Sequence, residues 1–161
     1  MGQGPCLCKF RLGIAGNKAT ATVTVKESGT TTFTGSGTIN FSAVQCFTGA
    51  RKCNPAVNNF KITFESNGGD TINFTQGRRG MISCFDNTEA VLMNGTAKVS
   101  GNVIQGQGKF DVDFSYSIDT STNPDTATII IVATRNNTEF TTTFTAPVSP
   151  QTFIGDCNEK P

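Results

Sequence analysis

Alternation of apolar and polar residues at a period of two, interrupted by turn residues, runs from one end of the chain to the other. Successive side chains of a strand point to opposite faces, so this period marks half-buried β-structure. Ala19, Ala21, Val23 and Val25 alternate with Thr20, Thr22 and Thr24. Phe33, Gly35, Gly37, Ile39 and Phe41 share one face of a longer strand, where the glycines predict a bend or the close approach of another backbone. Phe60, Ile62 and Phe64, then Asn67-Gly68-Gly69-Asp70, then Ile72 and Phe74 read as strand, tight turn, strand. Asn-Gly and Gly-Gly supply the positive φ angles that a short hairpin turn requires.

The cleanest inward stripe is Phe110, Val112, Phe114, Tyr116 and Ile118, with Lys109, Asp111, Asp113, Ser115 and Ser117 facing the other way. A turn over 119–125, containing Asn123-Pro124, leads to a strand over 126–133, and Arg135-Asn136-Asn137 turns into another through Phe140, Thr142 and Phe144. No stretch has a convincing helical period; Glu89-Ala90-Val91-Leu92-Met93 reads as strand or one helical turn. The abundance of threonine fits the same reading, because β-branched residues suit a pleated, half-buried surface. The expected fold is all-β: an antiparallel β-sandwich or jelly roll of about eight to ten strands, with a closed β-barrel as the alternative. Three segments are expected: an N-terminal cysteine-bearing arm with the first strand over 1–15, one sandwich domain over 16–146, and a C-terminal covering segment over 147–161.

A length of 161 residues is that of one ordinary domain, with room for a sizeable core. The composition removes several chemistries. Without histidine the commonest general base and metal ligand are missing, and with no tryptophan and one tyrosine the usual stacking platforms for sugars or bases are thin. No nucleophile motif stands out, so an enzyme is not expected. A net charge of +1, with basic residues scattered apart from Arg78-Arg79, offers no field for a polyanion, and nucleic acid is not an expected partner. The longest apolar run, Ile129-Ile130-Ile131-Val132-Ala133, is far short of the roughly 18 residues of a membrane helix and has the length of a buried strand. The first eight residues have neither the basic nor the apolar region of a signal peptide.

Cys6, Cys8, Cys46, Cys53, Cys84 and Cys157 form an even set. Zinc would need four thiolates, and the spacing lacks paired C-x2-C knuckles; disulfides are the expectation. The residues of a C-x-C pair point to opposite faces of an extended strand and do not easily share one partner. One thiol is thereby left to reach another molecule, the alternative being a clasp within the chain between Cys157 and Cys6 or Cys8.

Other groupings are weaker. Asp111, Asp113, Asp119 and Asp125 offer oxygens to calcium but lack the spacing of an EF-hand loop, and a solvated face is the plainer reading. Glu27, Glu65, Glu89 and Glu139 show no pairing of the kind that hydrolyses glycosides. Arg78 and Arg79, between Gly77 and Gly80, are expected at a loop tip as a possible anion or glycan contact. Asn40, Asn73, Asn94 and Asn136 each open an N-glycosylation triplet. No metal and no cofactor are expected.

The arm carrying Cys6-Leu7-Cys8, joined to one threonine-rich β-domain, resembles the layout of bacterial endospore appendage subunits. That resemblance implies a jelly-roll body whose arm reaches a neighbouring copy, with Cys6 and Cys8 as covalent connectors and edge strands as acceptors. The function expected from it is a structural subunit of an extracellular or spore-surface, pilus-like fibre, self-assembled by strand complementation and disulfides. The alternative is a secreted adhesin or carbohydrate-binding module using Arg78 and Arg79.

Overall fold

A computed structural model describes residues 9–45, 59–85, 90–104 and 108–155. Its ten strands are β1 (Lys9–Leu12), β2 (Ala19–Glu27), β3 (Thr30–Gln45), β4 (Asn59–Ser66), β5 (Thr71–Phe85), β6 (Ala90–Gly101), β7 (Lys109–Asp119), β8 (Thr126–Arg135), β9 (Thr138–Pro147) and β10 (Phe153–Gly155). The all-β expectation is met. Of the two architectures expected, the chain takes the closed barrel and not the sandwich or jelly roll. Strands β2 to β9 each pair antiparallel with the next, and β9 pairs back with β2, so eight staves close an up-and-down barrel.

The two short strands continue two of these staves. Strand β1 pairs with the C-terminal part of β3 (Phe10 with Gln45, Leu12 with Ala43), on the side of β3 that β2 occupies further along. Strand β10 pairs with β1, and the bridge between Ile14 and Val148 joins the two breaks. The N-terminal stave is thus β1 and β2 interrupted by a short 3-10 turn, Ala15–Asn17, and the C-terminal stave is β9 and β10 interrupted at 148–152.

Closure follows from the alternation. On every stave one set of alternate residues is buried: Ala21, Val23 and Val25 on β2, Phe60, Ile62 and Phe64 on β4, Ala127, Ile129, Ile131 and Ala133 on β8. The other set is largely threonine, serine, asparagine and charge. Eight staves enclose a space that side chains just fill, and here aromatic rings fill it. Phe114 meets Phe41 edge-on with centroids 4.8 Å apart and Phe60 at 5.8 Å, and Tyr116 stacks on Phe41 at 6.0 Å. Towards the other end Phe74 touches Phe110 at 5.4 Å and Phe140 at 5.1 Å. These edge-on pairs add a directional term to their burial.

Two glycines show why the staves approach as closely as they do. A Cβ on Gly37 would collide with the backbone carbonyl of Glu65 on β4, and one on Gly77 would lie 2.6 Å from that of Phe60. The expected close approach at Gly37 is therefore real.

Candidate functional site

One pole of the barrel gathers the ends of β1, β3 and β10 and the start of β4. Lys9 pairs with Gly155, Phe10 with Gln45 and Val44 with Asn59, so these four strand ends lie side by side. The part of β5 beyond Gly77 runs to the same pole, because Gly77 already lies opposite Phe60 near the start of β4. Cys46 follows directly on Gln45, Cys8 directly precedes Lys9, and Cys157 stands two positions beyond Gly155. Cys84 lies within β5, opposite Val91. Cys6, Cys8, Cys46, Cys53 and Cys157 fall outside the described residues, as does Glu89.

The Tyr116 phenol marks the interior of this end. Its side chain is fully buried, and its hydroxyl donates to the Gly13 carbonyl at 2.7 Å, next to the break between β1 and β2. Burial raises the phenol above its ordinary value of 10.0, opposed in part by the nearby Thr152 hydroxyl and by the bond to Gly13. The Thr152 oxygen itself is buried with no hydrogen bond of ordinary geometry. The opposite end of the barrel is plugged by Ile104, packed into the core, and by the Arg135 guanidinium 4.6 Å above the Phe110 ring.

Arg78 and Arg79 are not at a loop tip. They lie within β5, opposite Thr96 and Gly95, in a stretch whose register slips between Thr75 and Arg78 and again between Arg79 and Met81. The flanking glycine that reads as a loop signal is explained at Gly77 by the closeness of the Phe60 backbone and ring. This is the second meaning of a glycine in a strand, a bulge or a close contact, in place of a turn.

The carboxylates are dispersed. Asp111 and Asp113 point outward from β7, and Asp113 accepts from the Asn94 amide at 2.6 Å. Asp119 ends β7, and at the turn that follows it accepts from the Ser121 hydroxyl at 2.6 Å and the Ser121 N–H at 2.9 Å. Those two donors hold its carboxyl below its ordinary value. Glu27 accepts from the Thr138 hydroxyl at 2.7 Å, across β2 and β9. Among the described residues no three acidic or cysteine side chains come together as a metal cluster.

The pattern of alternation did not reveal a groove of about 350 Å³ on the outer face of β3, β4 and β5. Its floor is built of two cross-strand rungs: Asn40, Thr63 and Asn73 in one, Thr38, Glu65 and Thr71 in the other. Asn17 and Lys18, from the interruption between β1 and β2, stand over it as a wall. Asn17 holds a positive φ of 60°, which turns the chain outward there. The only sequence trace of this wall is Gly16-Asn17, a pair suited to left-handed backbone between two strand-like stretches.

Comparison of the chain with protein-family models, with curated proteins and with solved structures finds no match.

Proposed function

We propose that the chain is a structural subunit of an extracellular or spore-surface fibre or coat, joined to its neighbours through disulfides at one pole of the barrel. The observation that carries this reading is the common pole at which β1, β3, β10 and the end of β5 meet, because the cysteine-bearing segments all leave from it or lie on it. A rigid body filled with aromatic rings supplies the mechanical element, and disulfides formed by the segments that continue beyond these strand ends supply the joint. The layout resemblance to endospore appendage subunits points the same way.

Closure changes the part that strand complementation plays. Each of the eight staves has a neighbour on both sides, so the continuous acceptor edges of an open sandwich are gone, but β3 meets β4 only from Gly37 to Val44 and β5 meets β4 only up to Gly77. Among the described strands, β10 pairs on one side only, with β1. Strand addition is accordingly limited to short one-sided stretches such as β10 and the end of β5 at this pole and the start of β3 at the other, and disulfides carry most of the connection.

Non-reducing electrophoresis of the purified, air-oxidised full chain, followed by electron microscopy, tests the reading. A ladder of covalent multimers that collapses with a thiol reductant, and filaments in the micrographs, are expected. A monomer whose six thiols are all paired within one chain overturns it.

A further inference from the structure

We infer that the chain carries a site of spontaneous covalent modification: Asn67, at the tip of the β4–β5 hairpin, closes on the backbone nitrogen of Gly68 and passes through a succinimide to isoaspartate and aspartate. The second Asn-Gly pair, Asn94-Gly95, is held unreactive for as long as the barrel is folded. This is independent of the fibre reading, because the hairpin turns at the pole away from the cysteines.

Ring closure needs a backbone nitrogen that is free of a neighbouring side chain and free of a ladder bond, so that the peptide can swing towards the carboxamide carbon. Glycine supplies the first condition in both pairs, and the sequence does not separate them. The structure does. Asn67 is exposed, and Gly68 lies in the turn outside either strand. The other amides of the turn are engaged: Asn67 N–H donates to the Ser36 carbonyl at 2.8 Å, Gly69 N–H to the Ser66 carbonyl at 3.0 Å, and Asp70 N–H to the Ser66 hydroxyl at 2.9 Å. Among the described residues neither the Gly68 N–H nor the Asn67 carboxamide has a hydrogen bond.

Asn94 is the opposite case. It lies inside β6, opposite Met81 on one side and Asp113 on the other, and its side-chain amide donates to the Asp113 carboxylate at 2.6 Å. Gly95 is buried between Arg79 and Val112. Two neighbouring strands hold that peptide, and swinging it requires the ladder to open.

The reaction involves no oxidant or reductant. The Gly68 nitrogen loses its proton to solvent and bonds to Cγ of Asn67; the bond from Cγ to Nδ2 breaks, and ammonia leaves. Water then opens the ring. Attack at Cγ restores the ordinary main chain with aspartate, whereas attack at the α-carbonyl leaves the main chain running through Cβ and Cγ as isoaspartate. The net change is amide plus water to carboxylic acid plus ammonia. Either product adds a carboxylate to a turn that already holds Asp70 and follows Glu65. Isoaspartate also inserts a main-chain carbon between Ser66 and Gly69, whose hydrogen bond closes the turn. The Asn67 N–H precedes the insertion and keeps its anchor on Ser36.

The test ages the full chain, reduced and folded, at mildly alkaline pH, beside the same chain in urea. Tryptic peptides 62–78 and 80–98 are then read by mass spectrometry, with electron-transfer fragmentation to locate each change and tell isoaspartate from aspartate. In the folded chain Asn67 should convert and Asn94 should not; in urea both should convert. Gly68→Ala should lose the conversion and keep the fold, since its methyl group meets only Ser66 Oγ at 3.8 Å and Asp70 Oδ2 at 3.9 Å. In the aged sample, amide exchange should quicken at Gly69 and stay slow at residue 67. An Asn67 that survives in the folded chain while urea converts it overturns the site, as does equal conversion of Asn67 and Asn94 in the folded chain. Undiminished conversion in the Gly68→Ala variant overturns the succinimide route, and unchanged exchange at Gly69 overturns the effect on the turn.

Discussion

The Tyr116 phenol, on β7, donates its hydrogen bond to the Gly13 carbonyl at 2.7 Å, across 103 positions of sequence. It ties β7 to the interruption that separates β1 from β2, where the Gly13 carbonyl also accepts from the Ser149 N–H at 3.3 Å. Tyr116→Phe keeps the ring stacked on Phe41 and removes only the donor. The Ser149 N–H still serves the carbonyl, so the loss is that of one ordinary hydrogen bond, about 0.5–1.5 kcal/mol. A thermal midpoint lower by roughly 1–6 °C, with unchanged far-UV dichroism, is the expected outcome.

Because Tyr116 is the only tyrosine and the chain has no tryptophan, its ionisation can be followed by absorbance without interference. Burial raises its folded-state value above the ordinary 10.0. A raised value favours the folded state fully below the unfolded pKa, and the advantage is lost as pH rises through the folded one. Stability should thus hold steady up to about pH 10 and then fall with increasing pH. The absorbance change of the phenolate should appear above the ordinary range or coincide with unfolding. Titration of the native protein at the ordinary value would show that the phenol is not desolvated.

Asp119 behaves in the opposite sense. The Ser121 hydroxyl and N–H stabilise its carboxylate and lower its value in the folded chain. Ser121→Ala removes the larger of the two causes and should move the carboxyl titration upward, towards the ordinary 3.8, in a carboxyl-detected NMR experiment. The associated stabilisation is present above the unfolded value and is lost as pH falls through the folded one. The group is fully exposed, so the shift in titration is the quantity to measure and the change in unfolding midpoint is small.

How much of this was legible beforehand depends on the period of the signal. The inward stripe of β7 was fully readable, because Phe110, Val112, Phe114 and Tyr116 alternate without a break and all are buried. The hairpin at Asn67-Gly68-Gly69-Asp70 was readable from turn chemistry, and Gly69 indeed holds a φ of 90°. Closure was not, since alternation tells which residues point inward on each strand but not whether the last strand returns to the first. The run Ile129–Ala133 looks like a strand buried on both faces, yet Ile130 is 44% exposed on the outside of the barrel. Arg78 and Arg79 lie in a strand and not at the expected loop tip, because a strand glycine held by a neighbouring backbone and a loop glycine look identical in sequence. The groove escaped notice because its rung assembles Asn40, Thr63 and Asn73 from three strands, and only the register brings them into line.

The two glycines of β3 that share its inward face should respond differently to alanine. At Gly37 a methyl group meets the backbone of Glu65 and Ser66, which cannot move without shifting β4 against β3. At Gly35 it meets the far end of the Phe33 ring at 2.6 Å, and that ring is half-buried and can rotate away. Gly37→Ala should cost about 1–3 kcal/mol, in the range of core overpacking, whereas Gly35→Ala should cost clearly less. Chemical denaturation of the two variants side by side decides it; equal losses would mean that the β3–β4 contact is as adaptable as a side chain.

Phe114 is the ring on which one half of the core converges, edge-on to both Phe41 and Phe60. A closed barrel has little freedom to collapse around a missing side chain, because its eight staves are fixed to one another all the way round by backbone hydrogen bonds. Phe114→Ala should consequently lie at the upper part of the range for such substitutions, about 3–5 kcal/mol, and leave a void lined by apolar groups. A void of that kind stays dry and takes up a small apolar guest, so benzene or xenon should recover part of the lost stability in the variant while leaving the wild-type chain unaffected. Full loss of stability with no recovery by the guest would show that the staves do close in on the gap, and that the barrel wall is more compliant than its pairing implies.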